Sequence, residues 1–427
     1  MTTLFLAKEI NMAPDHAVPG KFDLLLTGAT VLDPSQDLHD SVDVGVVGGR
    51  IAAVGRDLQG TASQRIDLSG CLLTPGWIDI HAHVYAGATT WGVSADALCL
   101  ATGVTTIVDA GSPGWASLPG FVDYIVAPSR TRVLAFVHVS GLGLIYGPIG
   151  ECEDIRYVDP ERTAAAIEQW REVCVGVKVR QGGHQVGDHG IEPLRRAMQA
   201  GRYTNTPVMV HIAVGVPLND VLGEMRAGDI VTHCYQGTGD GIVAADGGVE
   251  PAARQARVKG VLFDVGHGGG SFRFDVARAA LSHDFVADVI STDLHAHNVD
   301  GPVFSLAETA SKLLNMGVSL EQVVRQCTTA PAKAIGRPEL GTLALGAVAD
   351  LAAFHVREGG QFEFRDVTGE VMIGERRIEP HLTVRDGTVY RPQELAAECE
   401  EAVARARTMR AFTGRNFAAL GWAPPTS

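Results

Sequence analysis

Between residues 75 and 335 the chain alternates short, almost wholly apolar runs with longer stretches of helical pattern. The apolar runs are Trp77–His81, Thr105–Ala110, Val133–Val139, Val173–Val179, Val208–Ile212, Asp229–Thr232, Val261–Val265 and Val286–Thr292. They are rich in Val, Ile and Leu, as strands covered on both faces are. Helical stretches such as Pro160–Glu172 and Ile191–Ala200 sit between them. Eight strand-then-helix units predict an α/β fold, a closed (β/α)8 TIM barrel, rather than an open doubly wound sheet. No glycine-rich dinucleotide fingerprint follows the first run, which also disfavours a nucleotide-binding open sheet.

The flanks have another texture. Phe22–Asp33, Asp43–Gly55 and Gln64–Gly76 read as short strands, with Gly48-Gly49 as a hairpin turn. Gly341–Phe354, Glu370–Ile373 and Leu382–Tyr390 repeat that texture near the other end. Together they predict one small β-sandwich domain assembled from both chain ends. The expected division is residues 1–74 and 340–392 for the sandwich, 75–339 for the barrel, and 393–427 for a C-terminal helix and tail. The helix is expected over Gln393–Arg410, packed on the barrel or on a neighbouring subunit of a homo-oligomer. Residues 1–20 read as an extension.

Composition narrows the partners. The 427 residues carry a formal charge of −14 and no basic run, which argues against nucleic acid and anionic membrane. No apolar stretch reaches membrane-spanning length. Seven scattered cysteines without a CxxC pair argue against a disulfide framework and against a thiolate zinc cluster, and favour a reducing cytoplasm.

In a parallel barrel the strand C-termini converge on one face, where chemistry sits. Polar residues at those ends are therefore the ones to test. His81 and His83 end the first run and point the same way, because strand side chains alternate. Lys178 lies in the fourth run, His211 ends the fifth, His233 the sixth and Asp293 the eighth. Singly, each reads as a satisfied structural residue. Six of them at one depth would be a costly way to build a core. Imidazole and carboxylate donors suit divalent ions such as Zn2+. An apolar strand favours the neutral form of Lys178. A neutral amine reacts with CO2 to give a carbamate, an anionic two-oxygen ligand able to bridge two metals.

This pattern resembles the amidohydrolase superfamily from about Phe22 to Tyr390. Pro75–His83, Lys178, His211, His233, Asp293 and the Gly341–Leu351 segment carry the resemblance. Phe263–Phe272 and Ile290–His295 are similar to a narrower group, the dihydroorotase-like bacterial deacetylases. The resemblance implies that His81, His83 and Asp293 hold one metal and that His211 and His233 hold another. Carboxylated Lys178 and a hydroxide would bridge the two ions, which are expected to be Zn2+. The mononuclear deaminases of the superfamily usually lack this lysine, so a binuclear hydrolase is favoured over a deaminase.

The implied reaction is metal-dependent hydrolysis of an acyl bond by the bridging hydroxide, with Asp293 as the catalytic proton shuttle. An acetyl ester or N-acetyl group of a small carboxylic acid is the first expectation. A cyclic amide hydrolase of the dihydroorotase or hydantoinase kind is the alternative, and a metal-free scaffold is a third reading. Arg180, Tyr146, His295, His297 and His267 are the candidates for contact with substrate. For Arg180 a structural salt bridge is the competing reading.

Overall fold

The computed structural model describes residues 20–419, with side chains placed up to Thr413. The expected extension over residues 1–20, apart from Gly20, and the tail over 420–427 lie outside the described residues.

Seven parallel strands pair in chain order: Trp77–Ala82, Val104–Gly114, Arg132–His138, Cys174–Gln181, Val208–Ile212, Ile230–Thr232 and Leu262–Phe263. They match the first seven expected runs to within a few residues. The eighth, expected over Val286–Thr292, forms no regular strand. Val289 instead bridges Asp264 in parallel, and Leu294 bridges Ala82. The Asp293 amide donates to the His81 carbonyl at 2.6 Å, and the His83 amide donates to the Leu294 carbonyl at 2.8 Å. The buried Asp79 carboxylate accepts from the Thr292 hydroxyl at 2.5 Å and from the Thr292 amide at 3.1 Å. These contacts close the curled sheet onto its first strand. The chain leaves extended geometry at Asp293, where φ is +49°, so the ladder cannot continue as a strand.

Apolar residues occupy both sides of the barrel strands. Val177 and Val210 pack in the main core with Ala197 and Met198 of the Glu192–Thr204 helix. A second cluster holds Ile78, Phe136, Met209 and Ile230. It lies on the strand face that, two residues later, carries His138 and His211. The polar centre thus sits on an apolar plug. All seven cysteines are free. No helix among the described residues is long and apolar enough to cross a membrane.

A four-stranded and a six-stranded sheet flank the barrel. The first contains Lys21–Thr27, Asp43–Val47, Arg50–Gly55 and Thr61–Asp67. Its hairpin turns at Gly48-Gly49, both at positive φ, as the sequence suggests. The second joins Thr30–Asp33, Leu38–Ser41 and Leu72–Pro75 to Leu351–Arg365, Val371–Arg385 and Thr388–Tyr390. Leu24, Leu26, Val31, Leu73, Leu351 and Leu382 form a core between them.

The C-terminal strand boundaries need correction. Residues 341–350 form no strand, and the two long strands make one hairpin of fifteen residues each. Polar residues Arg357 to Gly360 interrupt the apolar pattern, and the pairing partner carries the strand through them. The far end of this hairpin lies along the barrel. The Phe274 amide donates to the Asp366 carboxylate at 3.0 Å, and the Val367 amide donates to the Phe272 carbonyl at 3.2 Å.

The C-terminal helix starts at Ala396 and packs on the barrel. Cys399 lies against Leu100 and Ala101, Ala406 enters the main core, and Arg407 and Arg410 pair with Asp300.

Phe354 joins the sandwich to the barrel. It is fully buried, and its ring centroid lies 4.4 Å from that of Trp77 at the start of the first barrel strand. Phe354→Ala is expected to lower stability by about 3–5 kcal/mol. Urea unfolding followed by tryptophan fluorescence measures this; an unchanged midpoint would refute the contact's role.

Candidate metal centre

His81 ends the first barrel strand with its ring buried. Its Nδ1 lies 2.8 Å from the Thr232 hydroxyl, which donates to Asp264 Oδ2 at 2.7 Å. Ser291 donates to the same oxygen at 2.8 Å. With the Thr232 proton committed to the carboxylate, His81 Nδ1 must be the donor. Its Nε2 lone pair is therefore left facing Lys178 and Asp293.

The same logic repeats around the centre. His83 Nδ1 lies 3.0 Å from the Ser112 hydroxyl. Asp109 holds the Ser112 amide at 2.7 Å, fixing that residue. His233 Nδ1 donates to the Gly266 carbonyl at 2.6 Å, and its Nε2 is buried without a hydrogen-bond partner. An orphaned imidazole nitrogen in a buried site is costly unless something occupies it.

The six expected residues come together. Asp293 Oδ1 lies 3.0 Å from His83 Nε2 and 3.4 Å from His81 Nε2. Lys178 Nζ is 3.2 Å from His81 Nε2. The His211 and His233 rings meet edge to face with centroids 4.4 Å apart, and the His233 centroid is 5.1 Å from that of His81. Ligand atoms of His81, His83 and Asp293 all fall within 4.8 Å of one another.

Burial governs the charge state. It lowers the pKa of the Lys178 ammonium to about 7, against the pull of Asp293. It lowers the His83 imidazolium to about 3 and that of His233 to about 4. His81 and His211 are also driven well below the usual histidine range, first by burial and then by neighbouring basic groups. A cluster of neutral nitrogen bases with one carboxylate, lone pairs inward, is the donor set that a divalent cation needs. The residues present fit such an ion.

Backbone geometry is specialised here. His233 and Asp293 both have positive φ, +67° and +49°, at about 1–3 kcal/mol each for a non-glycine residue. Glycines line the floor. A Cβ on Gly111 would meet Lys178 Cγ at 2.6 Å, and one on Gly268 would meet Asp293 Oδ2 at 2.6 Å. A Cβ on Gly266 would meet Thr232 Oγ1 at 2.1 Å.

The expected substrate residues divide. Arg180 is already held by Glu151 through two hydrogen bonds of 2.7 Å, the structural salt bridge weighed above. His267 leaves no nitrogen for a substrate. Its Nδ1 donates to Gly268 O at 2.9 Å, its Nε2 accepts from Lys312 at 2.8 Å, and its ring stacks on Phe272. His295 lies beside the centre, with its ring centroid 6.3 Å from that of His83. Its Nδ1 accepts the His297 amide, and both rings border Trp91. Tyr146 is partly exposed in the loop after the third strand.

Several residues escaped the sequence reading. Thr232, Ser112, Asp264 and Asp109 orient the histidines, yet small hydroxyls and strand carboxylates carry no motif. His138 was within reach of the strand-end rule. It ends the third strand, lies 3.3 Å from Glu151 Oε1, and its ring neighbours Lys178 across Gly111.

The chain is similar to known proteins. Residues 270–389 match the model of the amidohydrolase family. A deacetylase of Agrobacterium fabrum is 37% identical over 350 residues, covering 81% of this chain and 86% of that protein. A deacetylase of Enterococcus faecalis is 34% identical, covering 82% and 95%. Among solved structures, one titled as an adenine deaminase superposes with a TM-score of 0.81 at 32% identity, covering 87% of this chain and 100% of that one. One titled as a dihydroorotase gives 0.81 at 33%, covering 86% and 99%. With its barrel, its donor set and these relatives, the chain belongs to the amidohydrolase family and is a metal-dependent hydrolase.

Proposed function

We propose that the protein is a binuclear deacetylase that cleaves an acetyl ester or N-acetyl group from a small carboxylic acid. The observation that carries this reading is the inward set of His81, His83, His233, Lys178 and Asp293 at the barrel's strand ends. Its imidazole and carboxylate donors favour Zn2+. His81, His83 and Asp293 would hold one ion, and His211 and His233 the other. Lys178 would lie between them as a carbamate, formed when its neutral amine adds CO2 and releases a proton. When bound, the ions supply Lewis acidity toward a carbonyl and acidify water enough to give a nucleophile near neutral pH.

The chain's own residues do the rest. Thr232 and Gly266 hold the His81 and His233 rings in the tautomer that turns the Nε2 lone pair inward, and Ser112 holds His83 at its Nδ1. Asp293 turns Oδ1 toward His81 and His83, which leaves Oδ2 to take a proton and return it to the leaving group. His295 offers Nε2 to the substrate from the rim. The deacetylase names of the two bacterial relatives support the choice of acyl group. Cyclic amide hydrolysis is the second reading, favoured by the likeness to the structure titled as a dihydroorotase. The same proposal takes residues 75–339 as the catalytic barrel, 1–74 with 340–392 as one β-domain, and 393–427 as a C-terminal helix and tail.

Metal analysis of the purified protein is expected to give at least two divalent ions per chain. Fewer than about one would favour a metal-free scaffold. A panel of O-acetyl hydroxy acids, N-acetyl amino acids, dihydroorotate and adenine tests the substrate class. Turnover of acetylated acids is expected, and turnover of dihydroorotate or adenine alone would overturn the reading.

Asp293→Asn should retain metal and lose about 10²–10⁴-fold in kcat. Full activity in that variant would refute the proton role. Thr232→Val keeps the shape of the side chain but removes the hydroxyl between His81 and Asp264. It should weaken metal binding about 10–100-fold in a chelator competition assay. Unaltered binding would show that the hydroxyl does not orient His81.

A further inference from the structure

A second group of soft donors lies away from the barrel centre. Cys71 immediately precedes the Leu72–Pro75 strand, His355 lies in Leu351–Arg365, and His381 lies in Val371–Arg385. These are three adjacent strands of the six-stranded sheet. One potential ligand atom from each falls within 4.8 Å of the others.

Strand register accounts for the meeting. Leu72 pairs with Phe354 across an antiparallel ladder, so Cys71 comes opposite His355. His355 shares its strand face with Ala353 and Leu351, which turn toward the sandwich core. On the other side, Ala353 pairs with Leu382 but Phe354 pairs with Pro380. His381 is thus the extra residue of a β-bulge, a device that re-aims a side chain. The bulge brings its ring to a centroid distance of 4.7 Å from His355, edge to face.

The spacing suits coordination. Cys71 Sγ lies 3.7 Å from His355 Nδ1. Two ligands of a tetrahedral zinc ion, one sulfur and one nitrogen, stand about 3.6 Å apart given their usual bond lengths. Cys71 is buried while both rings are part-exposed. That leaves a path for an ion to enter and a side for a water ligand.

We propose that Cys71, His355 and His381 form a metal site, separate from the barrel centre, for a zinc-class divalent ion. One thiolate and two imidazoles select this class over Mg2+ and Ca2+, which take oxygen donors. On coordination Cys71 releases its thiol proton and the sulfur becomes the anionic ligand. The ion would clamp three strands together where the bulge interrupts the ladder. The site owes nothing to the catalytic reading, because none of its residues lies at the barrel centre.

Cobalt reports the site directly. Full-length protein is stripped of metal, reconstituted with excess Co2+ and desalted, alongside Cys71→Ser and His381→Ala. The wild type is expected to hold one more Co2+ per chain than either variant. It should also show a near-ultraviolet thiolate-to-cobalt band that both variants lack. Reconstitution with Mg2+ should give equal metal content in all three. Equal Co2+ content in wild type and variants, or a thiolate band that survives Cys71→Ser, would overturn the proposal. Circular dichroism identifies a misfolded variant. His381→Ala, at a part-exposed position, carries the test alone if Cys71→Ser does not fold. The difference of one ion stands whatever the barrel centre binds, so failure here and failure of the deacetylase reading are told apart.

Discussion

Asp264 is the anchor on which the centre depends. It is fully buried, and its Oδ2 takes the Thr232 and Ser291 hydroxyls. Burial raises its pKa to about 6, opposed by those two hydrogen bonds. Because Thr232 gives its proton to this carboxylate, it can only accept from His81. The direction of one hydrogen bond thus decides which nitrogen of a histidine faces the reaction space. The Gly266 carbonyl settles the same question for His233, and Ser112 holds His83 at the corresponding nitrogen. Without such fixed acceptors, neutral imidazoles would populate both tautomers and the inward lone pairs would be lost.

The closure of the barrel serves the same end. A regular eighth strand would alternate its side chains along a ladder. Here the segment is held by Asp79, by two isolated bridges and by the Asp293 amide on the His81 carbonyl. Backbone hydrogen bonding ties Asp293 to the residue whose ring its carboxylate faces. Left-handed geometry at Asp293 lets the chain turn away as soon as that carboxylate is placed.

Much of this was legible in the sequence because burial imposes pattern. Continuous apolar runs marked seven barrel strands to within a few residues. The requirement that polar groups sit at strand C-termini then selected His81, His83, Lys178, His211, His233 and Asp293. What was not legible has physical causes. Thr232 and Ser112 act through one hydroxyl each, and such residues are common in strands. Arg180 carries the same charge whether it meets a substrate or Glu151, and only the fold brings Glu151 to it. His267, just beyond the seventh strand, could line the pocket or hydrogen-bond a turn; it bonds the turn through Nδ1, and Lys312 from a helix far along the chain occupies the other nitrogen. The long C-terminal hairpin was misread because its middle is exposed, where alternation no longer reports on strand.

The glycine floor has a consequence for how this centre can change. Gly111, Gly266 and Gly268 lie so close to Lys178, Thr232 and Asp293 that no other side chain fits. Drift or engineering therefore has little freedom beneath the reacting groups. New selectivity has to come from above, in the loops that carry Tyr146 and His295. A scaffold with a rigid base and a variable rim can acquire different leaving groups without rebuilding its chemistry.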